Sequence, residues 1–235
     1  MNGLKKFLNG YTAGIHTVKL RDILALHSTD LTQTRIQTMF PPIGVGSITL
    51  VDQIVLLSLC KAINAKNILE VGTFLGYTTT LLAMNTNARV YSIDLPAEEC
   101  DEIEYDEEKI YSDDKFNDNF LRYKQAVDGA KYLELLDKSQ KARVKLIKQD
   151  STKLDFSVKF GNLDFIFIDG GHSREIIHSD TTNALKAVDK GIIVWHDFSS
   201  QIHTDVTDYL SGRQDLKIFH VSNSLCAFSF VGFDT

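Results

Sequence analysis

Five short apolar segments of the sequence are each followed by an acidic or imidazole side chain. Apolar runs of this length, separated by helical patterns, predict the buried strands of a parallel sheet. Ligands of such sheets bind outside the carboxyl ends of the strands, so the residues at these ends are the candidates for chemistry. These residues are Glu70, Asp94, Asp150 with Ser151, Asp169 with His172, and His196 with Asp197. A single acid could simply cap the next helix, but five such ends predict one polar site.

A glycine turn follows the first of these strands. Gly72 and Gly76 permit a tight turn and a close approach of the backbone to a ligand. The dinucleotide fingerprint of nicotinamide enzymes would require glycine at two positions that are occupied by Phe74 and Tyr77. Asp94 lies 22 residues after Gly72, a spacing at which an acid accepts hydrogen bonds from the ribose of an adenosine ligand. The turn therefore predicts an adenosine site without identifying its ligand.

Strands alternate with helical patterns from residue 47 onward. This alternation predicts an α/β domain with a doubly wound, mostly parallel sheet. Ser47 or Thr49 could cap its first helix. Near the end of the chain, the apolar runs 216–221 and 225–231 are joined by only three residues. Because this link is too short for a crossover, the last strand is predicted to be antiparallel.

Residues 1–46 lack this regular pattern. A helix is predicted over residues 18–26, and Pro41 with Pro42 interrupts the chain before the regular region begins. We expect these first 46 residues to form an N-terminal arm that packs on the main domain, residues 47–235.

The segment 97–115 concentrates the negative charge of the protein. It contains ten acidic residues and two lysines, a net charge of −8, whereas the whole chain has a net charge of −6. Such a charge density predicts a solvated insertion rather than a packed element. Because the segment follows the strand that ends at Asp94, we expect it to lie near the substrate entrance and to disfavour anionic substrates.

The composition narrows the class of function. With 43% hydrophobic and 24% charged residues, the 235-residue chain is typical of a globular protein. The negative net charge argues against a nucleic-acid partner, because such binding needs clustered Lys and Arg. No apolar stretch approaches the ~20 residues that span a membrane, and the N-terminus lacks the pattern of a signal peptide. We therefore expect a cytoplasmic protein with a small-molecule substrate, and the sequence leaves open whether it forms a homo-oligomer.

Three motifs resemble those of known methyltransferases. The segment 68–78, ILEVGTFLGYT, resembles the first motif of class I methyltransferases and is closest to the catechol and caffeoyl-CoA O-methyltransferases. The segments 167–173, FIDGGHS, and 191–198, GIIVWHDF, resemble the macrocin-type sugar O-methyltransferases. The resemblance covers roughly residues 47–233. The motifs are specific indicators of the fold and the cofactor, but they indicate the substrate only weakly.

This resemblance implies a Rossmann-like sheet of seven strands in the order 3-2-1-4-5-7-6, with S-adenosylmethionine as the cofactor. It places the end of the first strand at the methionine part of the cofactor, Asp94 at the ribose, and Asp150 with Ser151 at the adenine. The cofactor-binding residues that it implies, together with those of the glycine turn, are Glu70, Gly72, Thr73, Gly76, Asp94, Asp150, Ser151 and Asp169.

Methyl transfer to a hydroxyl requires that something take the hydroxyl proton. The candidate catalytic residues are Asp169, His172 and His196, with either imidazole as the proton acceptor. Asp169 and Asp197 end adjacent strands and could together hold Mg²⁺, which would lower the pKa of the hydroxyl. However, His196 stands where the metal-dependent relatives carry an acid, and Mg²⁺ prefers oxygen ligands. In a metal-free enzyme, His172 alone would be the base and Asp169 would orient it.

The sequence thus predicts an S-adenosylmethionine-dependent methyltransferase that acts on a hydroxyl of a small molecule. Two alternatives are an NAD-dependent Rossmann oxidoreductase and a non-catalytic module that binds a nucleoside ligand. The remaining histidines show no partner in the sequence and are interpreted as surface or packing residues. They are His16, His27, His178, His203 and His220.

Overall fold

Eight strands form one sheet in the computed structural model of the protein, which describes residues 2–26, 34–40, 46–96 and 104–233. The strands are β1 (Gly14–Val18), β2 (Asn67–Val71), β3 (Arg89–Asp94), β4 (Val144–Lys148), β5 (Phe165–Ile168), β6 (Gly191–Trp195), β7 (Lys217–Val221) and β8 (Ala227–Val231). The helices are α1 (Asn2–Asn9), α2 (Leu20–Leu24), α3 (Leu50–Ile63), α4 (Tyr77–Asn85), α5 (Asp114–Asp128), α6 (Lys138–Lys141), α7 (Phe156–Phe160), α8 (Arg174–Ala187) and α9 (Thr204–Ser211). Short 3₁₀ helices cover Lys131–Leu135 and Ser151–Lys153.

The strand order is β1-β7-β8-β6-β5-β2-β3-β4. β8 pairs antiparallel with both β6 and β7, whereas the other neighbours are parallel. The predicted order of seven strands and the antiparallel last strand are therefore confirmed for β2 to β8. β2 lies between β3 and β5. After β2 the chain adds β3 and β4 on one side of it and then β5 and β6 on the other, and open α/β sheets bind ligands at such a switch in strand order.

The predicted strand count is too low by one, because the N-terminal arm adds β1 to the sheet. β1 pairs parallel with β7, with Val18 opposite Val221. The helix predicted over residues 18–26 is too long, because Val18 ends β1 and the helix found there, α2, covers only Leu20–Leu24. Pairing with β1 satisfies backbone groups of β7 that would otherwise form an open sheet edge. The break predicted at Pro41 and Pro42 lies outside the described residues.

Two apolar layers cover the two faces of the sheet. Successive residues of β5 alternate between them, so Phe165 and Phe167 pack with the layer formed by α1 to α4, and Ile166 and Ile168 pack with α7 to α9. All of β5 is buried, as expected for a strand covered on both faces. Among the described residues, no helix has both the length and the apolar character needed to cross a membrane.

The segment predicted as an acidic insertion is partly helical. Residues 97–103 lie outside the described residues, and α5 begins at Asp114, inside the predicted segment. Asp113 caps this helix by accepting a hydrogen bond from the Phe116 backbone N–H at 3.1 Å. Acids are favoured at the start of a helix because they accept hydrogen bonds from the free N–H groups of the first turn. Their negative charge also interacts favourably with the positive end of the helix dipole.

α3 begins with a reciprocal cap whose acid, Asp52, also binds the loop before β8. The Thr49 hydroxyl accepts a hydrogen bond from the Asp52 backbone N–H at 3.2 Å, and Asp52 accepts from the Thr49 backbone N–H at 3.1 Å. The other oxygen of Asp52 accepts from the Ser224 hydroxyl at 2.7 Å and from the Leu225 N–H at 2.9 Å. Asp52 is fully buried, so this carboxylate ties α3 to the loop before β8.

Gly72 allows the ends of β2 and β5 to lie against each other. Its φ is 99°, and a Cβ at this position would lie 1.9 Å from the carbonyl oxygen of Asp169. No side chain fits that gap, so any other residue would push the two strand ends apart.

The carboxyl group of Glu70 lies buried beneath the glycine turn. Its Oε2 accepts hydrogen bonds from the Ser92 hydroxyl at 2.6 Å and from the Thr79 hydroxyl. The Thr73 hydroxyl lies 2.7 Å from that of Ser92. Glu70 is 1% exposed, and burial raises its pKa to about 8, although both hydroxyl contacts lower it. This cluster joins β2, β3 and α4 below the turn.

We expect Glu70→Gln to change how stability depends on pH. The raised pKa keeps the folded protein protonated at Glu70 while the unfolded chain ionises, so the wild type loses stability as the pH rises from about 5 to about 8, at roughly 1 kcal/mol per unit. Glutamine removes this loss, so the variant should gain relative to the wild type as the pH rises. Urea unfolding at several pH values measures the difference, with the exposed Glu134→Gln as the control. Parallel stability curves for Glu70→Gln and wild type would contradict a neutral buried acid.

Candidate active site

A cavity of about 370 Å³ opens at the carboxyl ends of the central strands. This volume is within the range of small-ligand sites. The structure brings eight of the predicted site residues together in its lining: Gly72, Asp94, Asp150, Ser151, Asp169, His172, His196 and Asp197. Glu70, Thr73 and Gly76 do not line it, because the first two are bonded beneath the turn and Gly76 begins α4.

Asp94 forms one end of the cavity. Its carboxylate accepts hydrogen bonds from the backbone N–H groups of Phe74 at 2.7 Å and Leu95 at 2.9 Å. Burial raises the pKa of Asp94, and the charge of Lys148 and these two hydrogen bonds only partly oppose the rise. The bond to Phe74 fixes Asp94 against the glycine turn, so the acid and the turn present one continuous surface to a ligand.

Asp150 and Ser151 lie beside this end of the cavity. One carboxylate oxygen of Asp150 accepts from the backbone N–H and the hydroxyl of Thr152, at 3.0 and 2.7 Å. The other lies 3.1 Å from the Lys153 ammonium. Burial opposes these contacts, but together they lower the pKa of Asp150. The carboxylate is thus used as a cap for the 3₁₀ helix, while Ser151 also lines the cavity.

Three carboxylates surround the buried imidazole of His196. Its Nδ1 lies 3.1 Å from Asp169 Oδ1 and 3.0 Å from Asp197 Oδ2, and its Nε2 lies 3.5 Å from Asp52 Oδ2. Burial alone would lower the pKa of His196, but Asp169 and Asp197 raise it well above the usual range. The neighbouring acids therefore favour the protonated form of this imidazole. Asp197 has a φ of 58°, a left-handed conformation that Asp adopts more readily than most residues.

A second imidazole, His172, connects the same oxygen of Asp197 to α5. Its Nε2 lies 3.1 Å from Asp197 Oδ2, and its Nδ1 lies 2.7 Å from Asp118 Oδ1. Burial opposes protonation of His172, but these two acids raise its pKa to about 10. The ring stacks on that of His203, with centroids 3.5 Å apart, and His203 Nδ1 bonds to Asp114.

The sequence reasoning missed four of these residues, which are Asp52, Asp114, Asp118 and His203. Asp114 was interpreted only as part of the acidic segment 97–115, Asp52 and Asp118 were assigned no role, and His203 was interpreted as a surface or packing residue. The spacing of four between Asp114 and Asp118 was an available signal, since it places both on one face of a helix. Nothing near His203 in the sequence indicates its partners.

Asp169 and Asp197 are the residues that could hold a divalent cation. Together with His172 they offer three ligand atoms that all lie within 4.8 Å of one another. Two carboxylate oxygens suit Mg²⁺, and an adjacent imidazole suits Mn²⁺ or Zn²⁺ better. The donor set therefore fits a divalent cation, provided that His196 releases the two carboxylates that it now contacts.

Comparison with known proteins identifies the family. A family model described as a methyltransferase domain matches residues 69–198, more than half of the chain. Among proteins with curated functions, none matches significantly. The solved structure of the O-methyltransferase NovP is 13% identical, covers 76% of this chain and 77% of its own, and has a TM-score of 0.51.

Two further solved structures are similar. A caffeoyl-CoA O-methyltransferase candidate from Staphylococcus aureus is 20% identical, covers 80% of this chain and 86% of its own, and has a TM-score of 0.50. The cofactor-bound protein Rv0187 from MTB is 16% identical over 83% of this chain and 84% of its own, with a TM-score of 0.50. At these identities the likeness shows the fold alone. The family match, which lends no support to the nicotinamide alternative, shows that the chain belongs to the methyltransferase-domain family.

Proposed function

We propose that the protein is an S-adenosylmethionine-dependent O-methyltransferase that acts on a small molecule. The observation that carries the proposal is the single cavity that joins an adenosine-type end at Asp94 to an acid and imidazole end at Asp169, His172 and Asp197. A cofactor and an acceptor hydroxyl need such adjoining sites. The names of two similar structures, O-methyltransferases NovP and the Staphylococcus aureus candidate, agree with this chemistry.

In this proposal the adenosine of the cofactor lies along the ends of β2, β3 and β4. Asp94 accepts hydrogen bonds from the ribose hydroxyls, and Ser151 contacts the adenine. Gly72 and the turn after it leave room for the methionine part. Glu70, Thr73 and Gly76 support this turn from below, because their side chains or backbone are committed to packing beneath it.

The acceptor hydroxyl must lie behind the methyl carbon, in line with the sulfonium, and must lose its proton. As the new bond forms between oxygen and methyl carbon, the bond between carbon and sulfur breaks, and the proton passes to an imidazole. His172 fits this role because its Nε2 faces Asp197 at the cavity. Its pKa of about 10 means that the unliganded imidazole holds a proton at neutral pH. It becomes a base only when Asp197 turns away from Nε2.

Asp169 and Asp197 would hold the cation if the enzyme uses one, and Nε2 of His172 and Nδ1 of His196 would then lose these acids as partners. A cation bound there would lower the pKa of the hydroxyl and orient it. Asp118 adds a third acid to this end of the cavity. An acid-rich wall of this kind disfavours anionic acceptors, so we propose a neutral or cationic acceptor that carries the hydroxyl.

Asp94→Ala should weaken binding of S-adenosylhomocysteine while the protein stays folded. Losing the hydrogen bonds to the ribose should cost about 1–3 kcal/mol, or roughly 5- to 150-fold in affinity. Calorimetric titration measures the affinity, thermal unfolding checks the fold, and the exposed Asp208→Ala is the control. Unchanged affinity in a folded Asp94→Ala protein would remove Asp94 from the cofactor site. Binding of NAD, and not of S-adenosylhomocysteine, to the wild type would instead favour the oxidoreductase.

The cation is tested by binding and by activity. We expect Mn²⁺ to bind the wild type in a titration and to bind Asp197→Asn at least about tenfold more weakly, since one charged ligand is lost. Transfer of tritiated methyl groups to pooled metabolites should fall after EDTA treatment and return with Mg²⁺ or Mn²⁺. Asp208→Asn serves as the control. Full activity in chelator would exclude the cation, and full activity in His172→Ala would exclude that base.

A further inference from the structure

α5 supplies two acids to the imidazole side of the cavity. Asp114 and Asp118 lie one helical turn apart, and each bonds to the Nδ1 of a different histidine, His203 and His172. The histidines come from the loops that follow β5 and β6. Both rings are buried, with 9% of the His172 side chain and 7% of the His203 side chain exposed. Two parallel acid and imidazole pairs therefore lie side by side.

These four residues also form a group that could ligate a metal, since their ligand atoms all lie within 4.8 Å of one another. The orientation of the rings argues against that use. A metal bound to an imidazole nitrogen lies near the plane of the ring, along the nitrogen lone pair. His172 and His203 stack with centroids 3.5 Å apart and an angle of 18° between planes. One ion cannot lie near both planes, so the arrangement suits two hydrogen-bonded pairs.

The contact at Nδ1 decides which nitrogen of His172 can act on a substrate. A carboxylate at Nδ1 holds the proton there, which leaves Nε2 as the atom that takes or gives a proton. Nε2 is the atom that faces Asp197, 3.1 Å away, at the cavity. The stacked His203 ring covers one face of His172 and limits its rotation. Asp114 in turn holds His203, so both acids of α5 contribute to one orientation.

We propose that Asp118 is a positioning residue for His172, and that the pair Asp114 and His203 supports it from the side. This inference rests on the proposed function, in which His172 takes the proton of the acceptor hydroxyl. It also assigns a role to the helix that begins inside the acidic segment, because α5 completes the site from outside the sheet.

Asp118→Asn tests the proposal, with Asp128→Asn on the same helix as the matched control. Asp128 forms ion pairs with Lys124 and Lys131, away from the imidazoles. Asp118→Asn removes the charge that favours the proton at Nδ1, and its amide can instead donate to Nδ1. We therefore expect the ¹⁵N resonances of His172 to change in Asp118→Asn and to stay unchanged in Asp128→Asn. Asp118→Glu should restore the wild-type resonances.

The kinetic effect should separate catalysis from binding. With catechol and a methyl glucoside as phenolic and sugar acceptor probes, kcat of Asp118→Asn should fall by about 10²- to 10⁴-fold. KM and the affinity for S-adenosylhomocysteine should change by less than about threefold. Asp114→Asn should lower kcat less than Asp118→Asn does, because Asp114 contacts His203 and supports His172 only through that ring.

Two outcomes would overturn the inference in distinguishable ways. If S-adenosylhomocysteine fails to bind the wild type, the proposed function is wrong and the inference falls with it. If it binds, and the His172 resonances of Asp118→Asn match those of the wild type, Asp118 does not position His172 and the inference alone is wrong.

Discussion

Several carboxylates are buried at the carboxyl ends of the central strands, and the structure of this region depends on compensating their negative charge. Asp52 from α3, Asp169 after β5 and Asp197 after β6 converge on the single imidazole of His196. A carboxylate removed from water is strongly destabilising without a partner, and the positive charge of this one ring lies next to all three acids. Asp197 also contacts His172. A change at any one member therefore alters the charge balance of strand ends that lie far apart in the sequence.

The positions of these charged residues depend on close backbone packing between the ends of β2 and β5. Gly72 lets the end of β2 lie against the carbonyl of Asp169 at the end of β5, which places the glycine turn next to the acid and imidazole cluster. The Glu70 cluster holds the turn from below. In the proposed function, the cofactor end and the acceptor end of the cavity would therefore share one boundary, as methyl transfer between two bound molecules requires.

The surroundings of the site come from outside the central sheet. α5 contributes Asp114 and Asp118, and α3 contributes Asp52. Residues of α5 line the cavity, and α3 reaches His196 through Asp52, so the imidazoles are also held by acids that the strand ends do not provide. A catalytic side chain needs such support, because a loop alone leaves its ring free to rotate.

The sequence by itself determined the features that depend on neighbouring residues. Apolar runs located β2 to β8, the short link predicted the antiparallel β8, and the polar residues at strand ends predicted seven of the residues that line the cavity, because strand periodicity and turn chemistry are local. The resemblance to methyltransferases supplied the strand order. Only the tertiary structure decided the pairing of β1 with β7, the start of α5, and the contact of Asp118 with His172, which are 54 residues apart. Such contacts depend on how helices dock and on which buried charges meet, and neither leaves a periodic pattern in the chain.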